Sequence, residues 1–250
     1  MADQREMTVV RHLTELRKRL VWVLAVFVIA VLAGLFFAGP VIEYLKEQPM
    51  ADGVPIISRR PSDALSVYMQ FAVLIGVVLS LPVALYHTWR FVSNGLSNRE
   101  RRLTMYFIPA AFFLFVAGIL FGYYVVFSMM MKFLTQMSTT IGATPNYGIG
   151  EYFDFLFDMV IPIGVLFELP ILVVFLTRLR ILNPMRLAKI RRFAYFGITV
   201  VTFILTPPEI VTEILVTIPL LLLYELSIWL SRIVYRKQVK EDEEWEKSAV

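Results

Sequence analysis

Three carboxylates stand apart in this chain because of where they fall. Glu15 lies in Thr8–Leu20, where Val9, Leu13, Leu16 and Leu20 recur at helical spacing, and Arg11 and Arg19 flank it four residues away on either side. That spacing puts acid and bases on one face of an amphipathic helix, where an exposed ion pair contributes about 0.2–0.5 kcal/mol. The pair alone accounts for the residues; the sharper reading is an acid kept in a basic, interfacial patch to receive an incoming cation. Glu100 ends Ser97-Asn98-Arg99-Glu100, a capping box for the helix that follows. Two such carboxylates could each grip a guanidinium through paired hydrogen bonds. Glu168 differs, because it sits within the apolar stretch Met159–Leu176. An ionised carboxylate at mid-membrane costs at least about 2.5–3.5 kcal/mol on insertion scales, so such a group faces protein or water and is commonly functional. A bond to a neighbouring helix is the plain reading, and docking of a partner's polar side chain the functional one. Asp154 and Asp158 lie toward the outer end of the same stretch, and Glu225 is expected to make a local interhelical bond.

The elements that position these groups must cross a membrane. Of 250 residues 58% are apolar and 18% charged, with mean hydropathy +0.69; a soluble domain has roughly 45–50% and about 25%. The excess is gathered into Leu20–Ala38, Leu65–Tyr86, Leu103–Met131, Tyr152–Leu176, Phe193–Leu205 and Ile214–Leu230. A span needs about 20 apolar residues. The first four qualify; the fifth, 13 residues or about 20 Å of helix, is short and should thin the bilayer beside it. Thr206-Pro207-Pro208-Glu209 reads as a helix stop followed by an N-cap, Pro at the first helical position and a capping acid, so two crossings are preferred over a buried hairpin. Pro82, Pro109, Pro162, Pro170 and Pro219 all fall inside spans, where kinked helices make a concave body.

Charge sets the sidedness. Of the 24 Lys and Arg residues, all but Lys46, Arg59, Arg60 and Lys132 lie in the N-terminal segment, the second and fourth loops and the tail. The positive-inside rule then makes both termini cytoplasmic, and Trp22, Trp89 and Trp229 fall at cytoplasmic span ends. Glu15 and Glu100 are almost the only acids on that face before the tail. The expected organisation is a cytoplasmic amphipathic segment over 1–19, a six-helix membrane domain over 20–230 and a charged tail over 231–250. The polar start argues against a cleavable leader. With no Cys, two His (His12 and His87) and no Walker, H-E-x-x-H or G-x-S-x-G sequence, no cofactor, metal site or enzymatic chemistry is expected.

Four segments together resemble the TatC family, the receptor subunit of the twin-arginine protein translocase. His12-Leu13-Thr14-Glu15-Leu16-Arg17-Lys18-Arg19 is similar to its N-terminal signature, and Phe91-Val92-Ser93-Asn94-Gly95-Leu96 with Glu100-Arg101-Arg102 to its second-loop signature. Phe167-Glu168-Leu169-Pro170 resembles its intramembrane acid motif. Thr206-Pro207-Pro208-Glu209, Pro219 and Leu223-Tyr224-Glu225 resemble the region from the last outer loop through span six. The resemblance implies an all-α, glove-like fold of six transmembrane helices in a prokaryotic inner membrane, with both termini inside. It implies that Glu15 and Glu100 receive the consecutive arginines of signal peptides on folded precursors, supported by His12, Leu16, Arg17, Arg19, Phe91, Gly95, Leu96 and Arg101. It also implies that Glu168 helps dock single-span subunits of the TatA/TatB type, that the protein self-associates, that the proton gradient supplies the energy, and that no nucleic acid is involved. Asn94 stands where the family usually has Pro, and Glu209 and Glu213, the outer-loop acids, replace Asp and Gln. The outer Arg59-Arg60 pair is read as coincidence. The competing readings are a proton- or ion-coupled small-molecule transporter using Glu168 and a membrane scaffold whose acids are merely satisfied.

Overall fold

The computed structural model describes residues 2–47, 56–92, 105–205 and 210–248, with side chains over 14–47, 57–90, 105–204, 210, 213–240 and 243. These residues are almost wholly helical: α1 (Ala2–Lys46), α2 (Asp63–Val92), α3 (Phe107–Phe121), a π-helical segment (Gly122–Phe127), α4 (Ser128–Thr140), α5 (Ile149–Leu166), α6 (Leu169–Arg178), α7 (Pro184–Lys189), α8 (Arg191–Leu205) and α9 (Ile210–Ser248). The departure from all-α is a parallel pair of two-residue strands, β1 (Ile56–Ile57) and β2 (Tyr147–Gly148). Five stretches are long and apolar enough to cross a membrane: Thr14–Lys46, Asp63–Arg90, Phe107–Thr140, Ile149–Arg178 and Glu213–Lys240. They match five of the six expected spans. The remaining one, Phe193–Leu205, forms α8, a helix of 15 residues. Phe36, Phe193 and Ile204 are at least 75% exposed, as lipid-facing side chains are and soluble cores are not.

Helix boundaries differ from the hydropathy boundaries in two places. α1 is unbroken from Ala2, so residues 2–19 of the amphipathic segment and the first span form one rod. α9 runs without a break from the last apolar stretch to Ser248, so the tail over 231–248 is its continuation.

The chain divides into two compact units, Met1–Phe112 with Tyr147–Glu151, and Phe113–Asn146 with Tyr152–Val250. The first is built on an antiparallel α1–α2 hairpin. Ala30, Gly34 and Ala38 on α1 and Ala72, Gly76 and Ser80 on α2 are all buried and spaced by four, one stripe of small residues facing another. A Cβ on Gly34 would lie 2.6 Å from the Ala72 carbonyl oxygen, and one on Gly76 would lie 3.1 Å from the Val31 Cα. The two backbones therefore touch, the usual route to helix association where lipid removes the hydrophobic drive. At the start of α2, the Asp63 carboxylate accepts from the Arg59 and Arg60 backbone N–H groups at 3.1 and 2.9 Å, and Arg59 Nη1 pairs with Glu151 at 2.9 Å. The Arg59-Arg60 pair thus has a local use, tying the segment after β1 to the start of α5.

The second unit has a core of Val126, Met130, Met159, Ile163, Val216 and Leu220. Gly118 brings α3 against α5, since its Cβ would lie 2.9 Å from the Gly164 Cα. Polar groups clasp α6 to α9: Thr177 Oγ1 and Ser231 Oγ share a hydrogen bond of 2.7 Å, and Gln238 Nε2 donates to the Arg178 carbonyl at 2.9 Å. α6 ends in a Schellman turn, with Ile181 N–H on the Leu176 carbonyl and Arg180 N–H on that of Thr177. Arg180 holds the left-handed position, φ 61°, that glycine usually fills.

Of the five prolines read as interior, Pro82, Pro162 and Pro219 lie inside helices, but Pro109 sits in the first turn of α3 and Pro170 in that of α6. In a first turn the missing N–H costs nothing.

Candidate functional site

Glu15 is set one turn before the apolar part of α1, and the antiparallel hairpin brings the end of α2 alongside it. Arg19 joins the two helices. Its Nε and Nη2 donate to Glu15 Oε1, the former at 3.2 Å, and its Nη1 donates to the His87 carbonyl at 3.4 Å. Around them lies an open cleft of about 300 Å³ lined by Glu15, Lys18, Arg19, Trp22, His87 and Arg90. One carboxylate therefore faces three permanent cations. The Arg19 side chain is 14% exposed and that of Glu15 37%, so the acid remains open to solvent while its intramolecular partner is largely covered. Tyr86 braces the far wall, its ring 5.7 Å from that of His87 and 5.8 Å from that of the buried Trp89. His87 Nδ1 is buried with no hydrogen-bond partner among the described residues.

The expected Glu15–Arg19 pair is present, and sequence reasoning missed the walls. Lys18, Trp22, His87 and Arg90 become neighbours only when α1 and α2 pair, and the period-four small residues on both helices were the available signal. Leu16 and Arg17, assigned supporting roles, are exposed and do not line the cleft. Glu100, Gly95, Leu96, Arg101, Glu209 and both expected capping boxes lie outside the described residues, as do the side chains of His12 and Phe91. Glu213 is half-buried in the first turn of α9, where a negative charge suits the helix dipole.

Glu168 occupies a break in the fourth apolar stretch. Pro170 has no N–H to offer the Leu166 carbonyl, so α5 stops at Leu166 and α6 starts at Leu169 with Glu168 as its N-cap residue. Its Oε1 is buried and has no hydrogen-bond partner among the described residues. The bond to a neighbouring helix that would satisfy this oxygen is absent from that set. Glu225 behaves as expected: Tyr195 Oη donates to its Oε1 at 2.5 Å and Arg191 Nη2 pairs with its Oε2 at 3.0 Å, joining α8 to α9.

The sequence profile described as Sec-independent protein translocase protein (TatC) matches residues 11–219. The chain belongs to the TatC family. It is 45% identical over 235 residues to the Sec-independent protein translocase protein TatCy of Bacillus subtilis strain 168, covering 94% of this chain and 92% of that one. It is 44% identical over 238 residues to TatC of Halalkalibacterium halodurans, covering 95% and 94%. A crystal structure of the twin arginine translocase receptor TatC superposes with a TM-score of 0.75 at 32% identity, covering 89% of this chain and 99% of that one. Membership of the TatC family makes the chain a multi-pass, helical membrane component of Sec-independent protein translocation. Two TatC segments singled out above, the break at Glu168 and the cleft at Glu15, fall within the matched residues.

Proposed function

We propose that this chain is the receptor that captures consecutive arginines of export signal peptides at the cytoplasmic face of a prokaryotic inner membrane, with six spans and both termini inside. Further, it hands folded precursors to single-span TatA/TatB-type subunits without enzymatic chemistry, the proton gradient supplying the energy. The observation that carries the reading is the cleft at Glu15, a solvent-open carboxylate ringed by Lys18, Arg19 and Arg90. Binding there is an exchange. An incoming guanidinium takes the place of Arg19 on Glu15, and Arg19 keeps the His87 carbonyl as an acceptor. Like replaces like, so little desolvation is added at the moment of binding. Trp22, 57% exposed on the cleft wall, offers a face on which a guanidinium plane can stack. Glu100, eight residues beyond the end of α2 in the sequence, supplies the second carboxylate of the proposed pair. Lysine fits less well, because an ammonium cannot present a planar fork to a carboxylate.

The test compares Arg-Arg with Lys-Lys signal peptides on the purified full chain. Charge-assisted hydrogen bonds contribute about 1.5–3 kcal/mol, so Glu15→Gln and Glu100→Gln should each weaken Arg-Arg binding by roughly 10–100-fold and shrink the preference over Lys-Lys. Unchanged affinity in both variants defeats the reading.

A further inference from the structure

A second polar cleft lies at the other end of the sequence, in the unit that does not contain Glu15. It has a volume of about 520 Å³ and is lined by Arg232, Tyr235, Arg236, Val239 and Lys240 of α9 and by Pro184 and Met185 at the start of α7, with Glu243 at its edge. Arg232, Arg236 and Lys240 recur every four residues, which stacks them on one helix face. All three are exposed, and among the described residues none is paired with a carboxylate. Behind the same turn, Gln238 donates to the carbonyl of Arg178, which is 5% exposed. The Arg178 Nε and Nη1 are buried with no hydrogen-bond partner among the described residues. A buried guanidinium without a counter-charge is costly, and its field adds to that of the three cations in front. Among the described residues the corner is thus a concentration of positive charge without a paired carboxylate, and Glu243 is the acid described on its lining.

Depth says what the anion is. Arg232 follows Leu230, where the last uncharged apolar run ends, by two positions, and Arg236 stands about 6 Å farther along the axis. The headgroup layer of one leaflet is about 5–7 Å thick, so these two arginines span it. The cleft also has exposed apolar members, Met185 and Val239, and Trp229, the interfacial aromatic, is exposed one turn deeper. A free phosphate has no use for those, whereas a phospholipid that presents a phosphate to the arginines and its glycerol and acyl carbons to Met185 uses both. We infer that the α7–α9 corner is a binding site for one anionic phospholipid of the inner leaflet, the headgroup phosphate held by Arg232 and Arg236 and the outer rim of the headgroup by Lys240. The inference depends on the orientation in which the tail is inside and not on signal-peptide recognition, since lipid retention is read with no peptide present.

The test is native mass spectrometry of the full chain after exchange in detergent with phosphatidylglycerol or phosphatidylcholine. The wild type should hold phosphatidylglycerol and release phosphatidylcholine, and added inorganic phosphate should not displace the lipid. Each Lys or Arg at an anionic surface contributes about fivefold in affinity. Arg232→Gln, Arg236→Gln and Lys240→Gln should therefore each weaken retention by about that factor, and the triple variant should lose it. Lys132→Gln, at an exposed position expected on the other side of the membrane, should change nothing. Glu243→Gln, which removes the lining acid, should tighten retention, and this arm stands even where the triple variant does not fold. Equal retention of the two lipids, wild-type retention in the single variants, no gain in Glu243→Gln, or displacement by inorganic phosphate overturns the inference.

Discussion

Glu168 and Arg180 stand at the two ends of α6, the first as its N-cap residue and the second in the left-handed turn that closes it. Glu168 caps α6 in the gap opened by Pro170, and its buried Oε1 lacks a partner among the described residues. An unsatisfied buried polar atom in hydrocarbon costs several kcal/mol unless a group from outside meets it. We expect Glu168→Gln to weaken co-purification with single-span subunits while Arg-Arg peptide binding at the Glu15 cleft survives. Loss of peptide binding with intact co-purification is the contrary outcome. Loss of solute flux in Glu168→Gln liposomes, with flux in the wild type, would favour the transporter reading instead. Arg180 pays for its left-handed φ of 61°, a conformation that costs a side-chain-bearing residue about 1–2 kcal/mol. Glycine avoids that cost and alanine does not. Arg180→Gly should therefore be about 1 kcal/mol more stable than Arg180→Ala, read from thermal unfolding in detergent, and equal melting temperatures would show the turn to be unstrained.

At the scale of elements, the α1–α2 hairpin fixes the Glu15 cleft. The register that lays Gly34 on Ala72 and Gly76 on Val31 is the register that lays Arg19 on His87. A methyl added at Gly34 has to push back the Ala72 backbone, not a side-chain tip, so Gly34→Ala should destabilise the hairpin by about 1–3 kcal/mol. Arg-Arg peptide affinity should fall with it although Gly34 lies far from the cleft, and an unchanged melting temperature and affinity would mean that the helices separate without cost. What the sequence disclosed at this scale follows from what each signal sums over. Apolar runs are local, so the stretches that became α1, α2, α5 with α6, and α9 were legible, as was the Glu15–Arg19 pair four residues apart. The lining of the cleft was not, because Trp22 and His87 are brought together by packing. The stop at Leu166 was half legible: Pro170 was visible, but whether a proline kinks or ends a helix depends on what packs around the freed carbonyl. The π-helical segment Gly122–Phe127 left no mark in hydropathy; Gly122 instead lets α5 approach until its Cβ would lie 3.1 Å from the Val160 Cα.

At the scale of the whole molecule, length and charge govern how α8 and α9 cross. α8 is about 22 Å long against a hydrocarbon core of about 30 Å, while the 39 residues of α9 reach about 58 Å. A short helix can still cross if Arg191 and Arg192 at its start extend toward headgroups and the bilayer thins around it. It cannot do so from the wrong side, because the basic fourth loop and the basic stretch of α9 must both remain inside. On that expectation the start of α9 lies outside. The chain has no cysteine, so single substitutions report position without background. Ile210, 75% exposed at the first residue of α9, and Ile141, 76% exposed after α4, should both become labelled by an impermeant maleimide in right-side-out vesicles when replaced by Cys. Lys240→Cys should react only after permeabilisation. Labelling of Ile141→Cys together with protection of Ile210→Cys would turn α8 and the first turns of α9 into a hairpin entering from the inner face. The short helix would then need no thinned bilayer, and the surface it offers to single-span partners would lie at the inner leaflet alone.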